Sequence, residues 1–411
     1  MVDIREVPEA DIDRAQELAY LVFHDRPESE GRARHRALLG RCSRIGAYDG
    51  DALVGFMAAH HFRLSVPGGD LGCPGLTFVS VAPTHRRRGV LTALMDEQLR
   101  RAAAARSPLA ALWASEAAIY GRFGYGAATQ GVTIEIDSSR PLALRITPDP
   151  RPLRLVDPAD ALAVIGPRHE AARAVRAGRP SRSPERWAEE WLCEQDEEDE
   201  ELGPPRIIVL GDPGEPVAGY VLFRTKPEDD TAGPGRSPGL VRVDELEADT
   251  PAVAAALWDC VSSLDLTGRV RAWGRPADDP LLHFAADRDQ VKVTAQFPAL
   301  WLRLVDVRAA LTARDWAAPV ELVLDLADVR RPANAGRFRL KAGPDGATYE
   351  PARADPDLVL DVRELAACYL GGTRTTELVA AGLVDERTPG AAAALDAALR
   401  TEPLPHTADE F

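Results

Sequence analysis

The amino-acid sequence predicts a mixed α/β chain: two successive copies of a strand, helix, hairpin, strand, helix unit, the second degenerate, followed by a smaller α+β domain. Three observations predict it. The order of apolar alternation and helical periodicity in residues 1 to 147 recurs in residues 148 to 298. A proline-rich break, "ITPDPRPLRL" at residues 146 to 155, separates the copies, because proline denies both helix and ladder hydrogen bonds. From residue 299 to 411 the pattern changes to alternating strands followed by two helical stretches. A chain of 411 residues is also too long for one ordinary core, at roughly 150 residues per domain.

The elements follow in order. "VDIREVPEADIDRAQELAYLVF" reads as a short strand and then a helix beginning near Pro8 and Glu9. "RIGAYDGDALVGFMAAHHFRL" is two alternating runs joined at Asp49-Gly50, a strong hairpin signal. An apolar strand, "LTFVSVAP", runs into "THRRRG", and "VLTALMDEQLRRAAAA" carries a helical stripe at Leu91, Leu94, Met95 and Leu99. "LAALWAS" supplies a further strand, and "EAAIYGRFGYGAAT" a short helix and glycine-rich turn. After the break, "LRLVDPADALAVI" repeats strand then helix, "RIIVLGDPGEPVAGYVLFR" repeats the hairpin, and "GLVRVDELEADTPAVAAALWDCVSSL" repeats strand, loop and helix. The copies differ in the loop: "APTHRRRGVL" in the first becomes "EADTPAVAAAL" in the second, without arginine or glycine. The third region opens near "ALWLRLVDVRAALTARDW" and continues through "VELVLDLADV", "GRFRLKAG" and "DLVLDVRELAACYLGG" to "AAAALDAALRT".

Composition excludes several classes of function. A formal net charge of -15 repels nucleic acid and anionic membrane, and attracts cations instead. No apolar run reaches the roughly 18 residues of a membrane span. The acidic start "MVDIREVPEADIDRAQ" lacks the regions of a secretory signal, so a cytoplasmic location is expected. The five cysteines are scattered without a CxxC pair, and His60 and His61, adjacent on a strand, point to opposite faces; no metal site is expected. The acidic run at residues 193 to 203 reads as a solvated loop, and the glycine- and proline-rich stretch at 226 to 239 as a mobile one.

The basic loop remains to be explained. A strand feeding a basic, glycine-containing loop at a helix amino terminus offers unpaired N–H groups, a favourable dipole and close approach for phosphate or pyrophosphate. A solvated basic turn is the alternative, and the strand before the loop and the amphipathic helix after it argue against that.

"VSVAPTHRRRGVLTALM" resembles motif A of GNAT acetyltransferases, with Arg86, Gly89 and Leu91 on the three positions of its RxxGxG/A loop; Leu91 departs from the usual Gly or Ala. That departure, "VAPTHRRRG", "ASEAAIYGRFGYG" and the terminal Glu-Phe make the whole chain similar to the Eis (enhanced intracellular survival) subgroup. The resemblance implies tandem GNAT folds, the second degenerate, and a sterol-carrier-protein-like third domain whose carboxyl terminus reaches the active site. It implies acetyl-CoA as cosubstrate and no metal, with Arg86, Arg87, Arg88, Gly89, Val90 and Leu91 at the pyrophosphate. Main-chain groups of Phe78, Val79 and Val81 would meet the acetyl and pantetheine groups.

Two tyrosines compete for the proton of the departing thiolate, Tyr120 and Tyr125; a phenol with pKa near 10 suits that task. The family pattern selects Tyr120. No Asp or Glu of the first region announces itself as base, and the resemblance gives that role to the α-carboxylate of Phe411. Glu410 and Asp25 match acidic positions at the acceptor pocket. His85 is expected to have a structural or phosphate-side role rather than a catalytic one, and Trp113 stands where mycobacterial relatives tend to have histidine. The expected activity is N-acetylation of aminoglycosides or similar polycationic amines in a ternary complex. Acetylation of protein or peptide lysines, and a lipid-binding scaffold role, are the alternatives. A homo-oligomer, a hexamer by resemblance, is expected.

Overall fold

The structure, a computed structural model, describes residues 2–196, 199–227 and 239–411. The chain divides into two compact units: one comprises the chain up to Thr129 together with Pro298–Pro405 and Asp409–Phe411, the other Gln130–Phe297 and His406–Ala408.

The first unit opens with β1 (Asp3–Glu6), α1 (Ile12–Phe23) and α2 (Ser29–Arg41), then the antiparallel meander β2 (Ser43–Asp49), β3 (Ala52–Val66) and β4 (Gly69–Val81). α3 (Val90–Ala104), β5 (Leu109–Trp113), the single turn α4 (Ala117–Tyr120) and β6 (Gly126–Ala127) follow. The hairpin turn falls at Gly50-Asp51, one residue past the expected Asp49-Gly50, because Asp49 still pairs with Ala52; Gly50 takes a φ of 60° that a side chain would oppose. α1 buries Ile12, Ala15, Leu18 and Ala19. α2 was not legible, because only Gly31 and Leu39 are buried in it; its arginines instead pair with α1, Arg32 with Glu17 and Arg36 with Asp13. α3 packs Val90, Leu94, Met95 and Leu99 into the core beside Ile45, Met57 and Leu112; Leu91, expected on that stripe, is only half-buried.

The second unit contains β7 (Gln130–Asp137), β8 (Leu153–Val156), α5 (Ala161–Val175), α6 (Pro184–Arg186), β9 (Arg206–Leu210), β10 (Gly219–Lys226), β11 (Gly239–Ala248), α7 (Pro251–Ser262), β12 (Thr267–Pro276), α8 (Leu281–Phe284) and β13 (Val291–Pro298). The first unit then resumes with β14 (Leu300–Leu304), α9 (Val307–Thr312), β15 (Val320–Ala327), β16 (Gly336–Gly343), β17 (Gly346–Pro351), β18 (Leu358–Asp361), α10 (Val362–Cys368), α11 (Thr375–Ala380), β19 (Asp385–Glu386) and α12 (Ala391–Leu399).

Duplication is written in the sheets. The first has the order β1-β2-β3-β4-β5-β14-β6, and the second, read from its other edge, β8-β9-β10-β11-β12-β7-β13. The two orders match place by place. In each, the sixth place is taken by a strand from outside that copy's own run: β14 follows the second copy in the chain, and β7 precedes it. Alternation tells that a strand is half-buried, not which sheet it joins. The third sheet has the order β17-β16-β15-β18-β19.

Residues 228–238 of the glycine- and proline-rich stretch lie outside the described residues, as do 197 and 198 of the acidic run. Within that run Asp196 pairs with Arg242, and Asp199 with Lys226 at 2.5 Å, so these acids are ion-paired rather than merely solvated.

Candidate active site

The first sheet opens into a wedge. β4 pairs in parallel with β5 only at Gly75↔Ala111 and Leu76↔Leu112, so past Leu76 its β5-facing edge has no ladder partner on that strand. On its other side, Phe56 faces Ser80 and Ala58 faces Thr77, which leaves Phe78 and Val79 together opposite Met57. This is a β-bulge, a device that re-aims a strand and ends pairing. Phe78 takes a φ of 52° there, a left-handed conformation that costs roughly 1–2 kcal/mol. Its ring is edge-on to His35 at 5.3 Å, and His35 Nδ1 stands 2.9 Å from the Tyr20 hydroxyl, which also accepts from Gln16 Nε2 at 3.0 Å. The helix invisible in the sequence thus supports the bulge.

The basic loop stands where α3 begins. Arg86, Arg87, Arg88 and Gly89 are exposed, and among the described residues the three guanidiniums make no ion pair. Arg87 (φ 60°) and the N-cap Gly89 (φ 80°) turn the chain into the helix. A side chain on Gly89 would meet open space, so glycine is needed there for conformation alone. The first-turn N–H groups have no intrahelical acceptor and carry the positive end of the dipole. Val90 is 2 % exposed with its side chain in the core, which leaves only its main chain for a ligand. His85 bonds Thr84 Oγ1 at 2.8 Å through Nδ1 and approaches Asp49 Oδ2 at 3.3 Å through Nε2. It ties the loop to the hairpin turn, in keeping with a structural role.

Tyr120 ends α4 and is 5 % exposed, whereas Tyr125 is fully buried. Their rings meet edge-on at 6.3 Å. Burial, and secondarily the charge of Glu116, push the Tyr120 phenol up to about 12, so it holds its proton at neutral pH. Burial pushes Tyr125 higher still, and among the described residues its hydroxyl has no hydrogen-bond partner. Of the two, Tyr120 is the one with access to solvent.

The Phe411 ring packs edge-on to Phe62 at 4.9 Å and to His60 at 6.1 Å, and those two rings stack at 4.7 Å. Gly75 makes the room: a Cβ there would lie 2.4 Å from Phe62 Cε2 and 2.8 Å from Phe411 Cε2. Gly75 also belongs to the ladder pairs that immediately precede the wedge, so the Phe411 ring docks beside it. This platform was missed in the sequence, although "CPGL" within a strand signals close approach at its glycine. Glu410 is exposed beside Phe411. Asp25 lies on the exposed turn after α1, where its carboxylate accepts from the Arg26 N–H at 2.8 Å; among the described residues that carboxylate makes no hydrogen bond or ion pair with the groups above. Trp113 closes β5 opposite Leu300, half-buried.

The second copy keeps the geometry without the chemistry. Leu222 faces Glu245 and Phe223 faces Val243, which places a bulge at Asp244, and the β11–β12 ladder ends at Val243↔Ala272. Beyond it the Glu245 carboxylate accepts from Arg182 at 2.8 and 3.1 Å, from the Tyr220 hydroxyl at 2.5 Å and from Arg179 at 3.3 Å, all buried. α7 begins at Pro251 with Thr250 as N-cap. Where the first copy has a basic loop over a freed strand edge, the second has a buried ion-pair network and a capped helix.

Comparison with known proteins decides the family. Residues 3–128 match an acetyltransferase (GNAT) domain model, residues 178–309 a second acetyltransferase (GNAT) domain model, and residues 307–408 a sterol carrier protein domain model. The chain is 35% identical over 380 residues to the N-acetyltransferase Eis of Mycobacterium tuberculosis, covering 90% of this chain and 88% of that one. It is also 43% identical over 357 residues to an uncharacterized N-acetyltransferase of Streptomyces avermitilis, covering 86% of each. The chain belongs to the Eis family of GNAT N-acetyltransferases. The crystal structure of Eis1 from Mycobacterium abscessus superposes with a TM-score of 0.82 at 32% identity over the whole of both chains. A GCN5-related N-acetyltransferase from Anabaena variabilis, at 18% identity and a TM-score of 0.84, shares the fold over the same extent. This Eis-family protein is therefore an acetyltransferase whose GNAT fold implies acetyl-CoA as cosubstrate, with two GNAT domains and a sterol-carrier-like domain. Among the described residues no helix is long and apolar enough to cross a membrane, and no group of three or more His, Cys, Asp or Glu is placed to hold a metal.

Proposed function

We propose that this Eis-family protein acetylates an amine of an aminoglycoside or similar small polycation by direct attack in a ternary complex. The observation that carries this reading is the convergence on one sheet of a freed strand edge, three unpaired arginines at a helix amino terminus, and the docked ring of Phe411. The cosubstrate supplies an activated acetyl thioester. Arg86, Arg87 and Arg88, with the N–H groups of residues 89 to 91, hold its pyrophosphate by charge and by the helix dipole. Main-chain groups of Phe78, Val79 and Val81 on the open side of β4 bind the acetyl carbonyl and pantetheine, where preorganised donors favour developing negative charge.

Tyr120 then gives its proton to the departing thiolate. The α-carboxylate of Phe411, held by its ring on Phe62 and His60, accepts the amine's proton through water. Glu410 and Asp25, within a chain of net charge -15, raise the local concentration of a polycation. Cytoplasmic location and assembly into a hexamer complete the reading.

Tyr120→Phe tests it. Turnover falls by roughly 10²- to 10⁴-fold while acetyl-CoA still binds, if the phenol is the general acid. Unchanged turnover removes Tyr120 from the mechanism.

A further inference from the structure

The glycine-rich segment after Tyr120 is pressed against the third domain. A Cβ on Gly126 would lie 2.1 Å from the carbonyl oxygen of Arg363 and 2.6 Å from the amide nitrogen of Ala367, both in α10. One on Gly124 would lie 2.8 Å from Val362 Cγ1 and 2.9 Å from Arg303 Nε, and one on Gly121 would lie 3.1 Å from Arg363 Cδ. Between them the buried ring of Phe123 lies beneath the Arg330 guanidinium at 5.5 Å. At Gly124 and Gly126 the third domain thus approaches the backbone too closely for a side chain, whereas at Gly121 only the flexible Arg363 side chain would have to give.

Arg303 on β14 links this contact to a buried network. Its Nη2 donates to both carboxylate oxygens of Asp328 at 2.7 Å, and its Nη1 donates to the Leu304 carbonyl at 2.9 Å. Asp328 also accepts from Asn334 Nδ2 at 2.9 Å and from the N–H groups of Arg330 and Arg331 at 3.2 and 3.0 Å. Arg303 and Asp328 are almost wholly excluded from solvent. A buried ion pair gives little net stability over an apolar replacement, so orientation is the better explanation of its presence. What it orients is at hand: Gly124 abuts Arg303, Tyr125 follows Gly124, and the Tyr125 ring is edge-on to Tyr120.

We propose that Arg303, Asp328 and Val362 are positioning residues for Tyr120, fixing residues 121 to 126 against the third domain and thereby setting where the Tyr120 hydroxyl stands. The proposal rests on the reading of Tyr120 as the acid. It also gives the sterol-carrier-like domain a part in acetyl transfer through its packing, separate from any lipid.

Two full-length variants test it. Arg303→Met combined with Asp328→Leu removes both charges together and leaves no ion buried alone; Val362→Ala leaves the pair intact and loosens only the contact at Gly124. The first readout is the ¹³Cζ-tyrosine NMR spectrum, with the Tyr120 line assigned by its loss in Tyr120→Phe, and it needs no acceptor. The line is expected to move or split in both variants, while that of Tyr220, assigned in the same way, stays in place. An unmoved Tyr120 line in folded variants overturns the proposal. The second readout is turnover of acetyl-CoA with kanamycin, expected to fall about tenfold or more, as small misplacements of reacting groups do, with little change in the Michaelis constant for acetyl-CoA. The loss should vanish when the substitutions are placed in Tyr120→Phe; a loss that multiplies undiminished onto Tyr120→Phe contradicts positioning. Full turnover by Tyr120→Phe itself refutes the acid reading, and the spectrum then still judges the positioning.

Discussion

Gly75→Ala inserts one carbon into the platform that holds the chain's last ring. The new Cβ would stand 2.4 Å from Phe62 Cε2 and 2.8 Å from Phe411 Cε2, so at least one ring must leave its place. The Phe62 ring is 8 % exposed and stacked on His60, whereas Phe411 is half-buried. Phe411 is the more exposed of the two. Its edge contacts to Phe62 and His60 are worth about 0.5–1.5 kcal/mol each beyond area burial, hence about 1–3 kcal/mol together. Overpacking costs about 1–3 kcal/mol, so the substitution offsets the edge contacts by an amount of the same size. A shift of about 1.4 kcal/mol is tenfold in an equilibrium constant. If the Phe411 carboxylate is the base, kcat should fall about tenfold, with acetyl-CoA affinity little changed because the arginine loop lies elsewhere. Steady-state thiol release, with coenzyme affinity and the melting temperature measured on the same preparation, checks this. Wild-type kcat from a folded Gly75→Ala protein would refute the claim that the docked ring serves turnover.

Three other outcomes are expected. Charge reversal at Arg86 and Arg88 raises the Michaelis constant for acetyl-CoA, more at low salt than at high salt because these side chains are exposed; an unchanged constant contradicts the phosphate-binding role. Because Tyr120 is raised to about 12, its neutral, donating form persists up to that pH; turnover should show no basic limb from the phenol until pH approaches 12, and a limb below pH 10 that disappears in Tyr120→Phe contradicts this. Glu245→Gln leaves Arg179 and Arg182 buried with a lost partner, a change of the kind that costs about 3–5 kcal/mol; the melting temperature should drop, and an unaltered melt shows that the network does not hold the second copy.

The duplication was legible because its copies share a periodicity and differ at one loop, where "APTHRRRGVL" corresponds to "EADTPAVAAAL". The hairpin was legible to within one residue through Gly50, a turn residue that needs positive φ. The exchange of β7 and β14 between the sheets was not, since strand pairing is a long-range property that no local pattern encodes. α2 escaped because helices held by ion pairs and one leucine show no apolar stripe. The arginine loop and Tyr120 stood out as residue types with a chemical use. Gly75, His35 and Arg303 did not, and the glycines after Tyr120 read only as a turn, because what matters at each is the atom that approaches from a distant part of the chain. Asp25 came from resemblance alone, and the structure leaves it on an exposed turn bonded to its neighbour.

Thiol release from acetyl-CoA by the purified protein, with kanamycin, spermidine or a lysine-rich peptide against buffer, tests the central claim most directly. Rapid, saturable release with kanamycin, strongly reduced in Tyr120→Phe, is the predicted result. Release with the lysine-rich peptide alone would contradict the small-polycation acceptor, and silence with every amine together with failure to bind acetyl-CoA would contradict the transferase site itself.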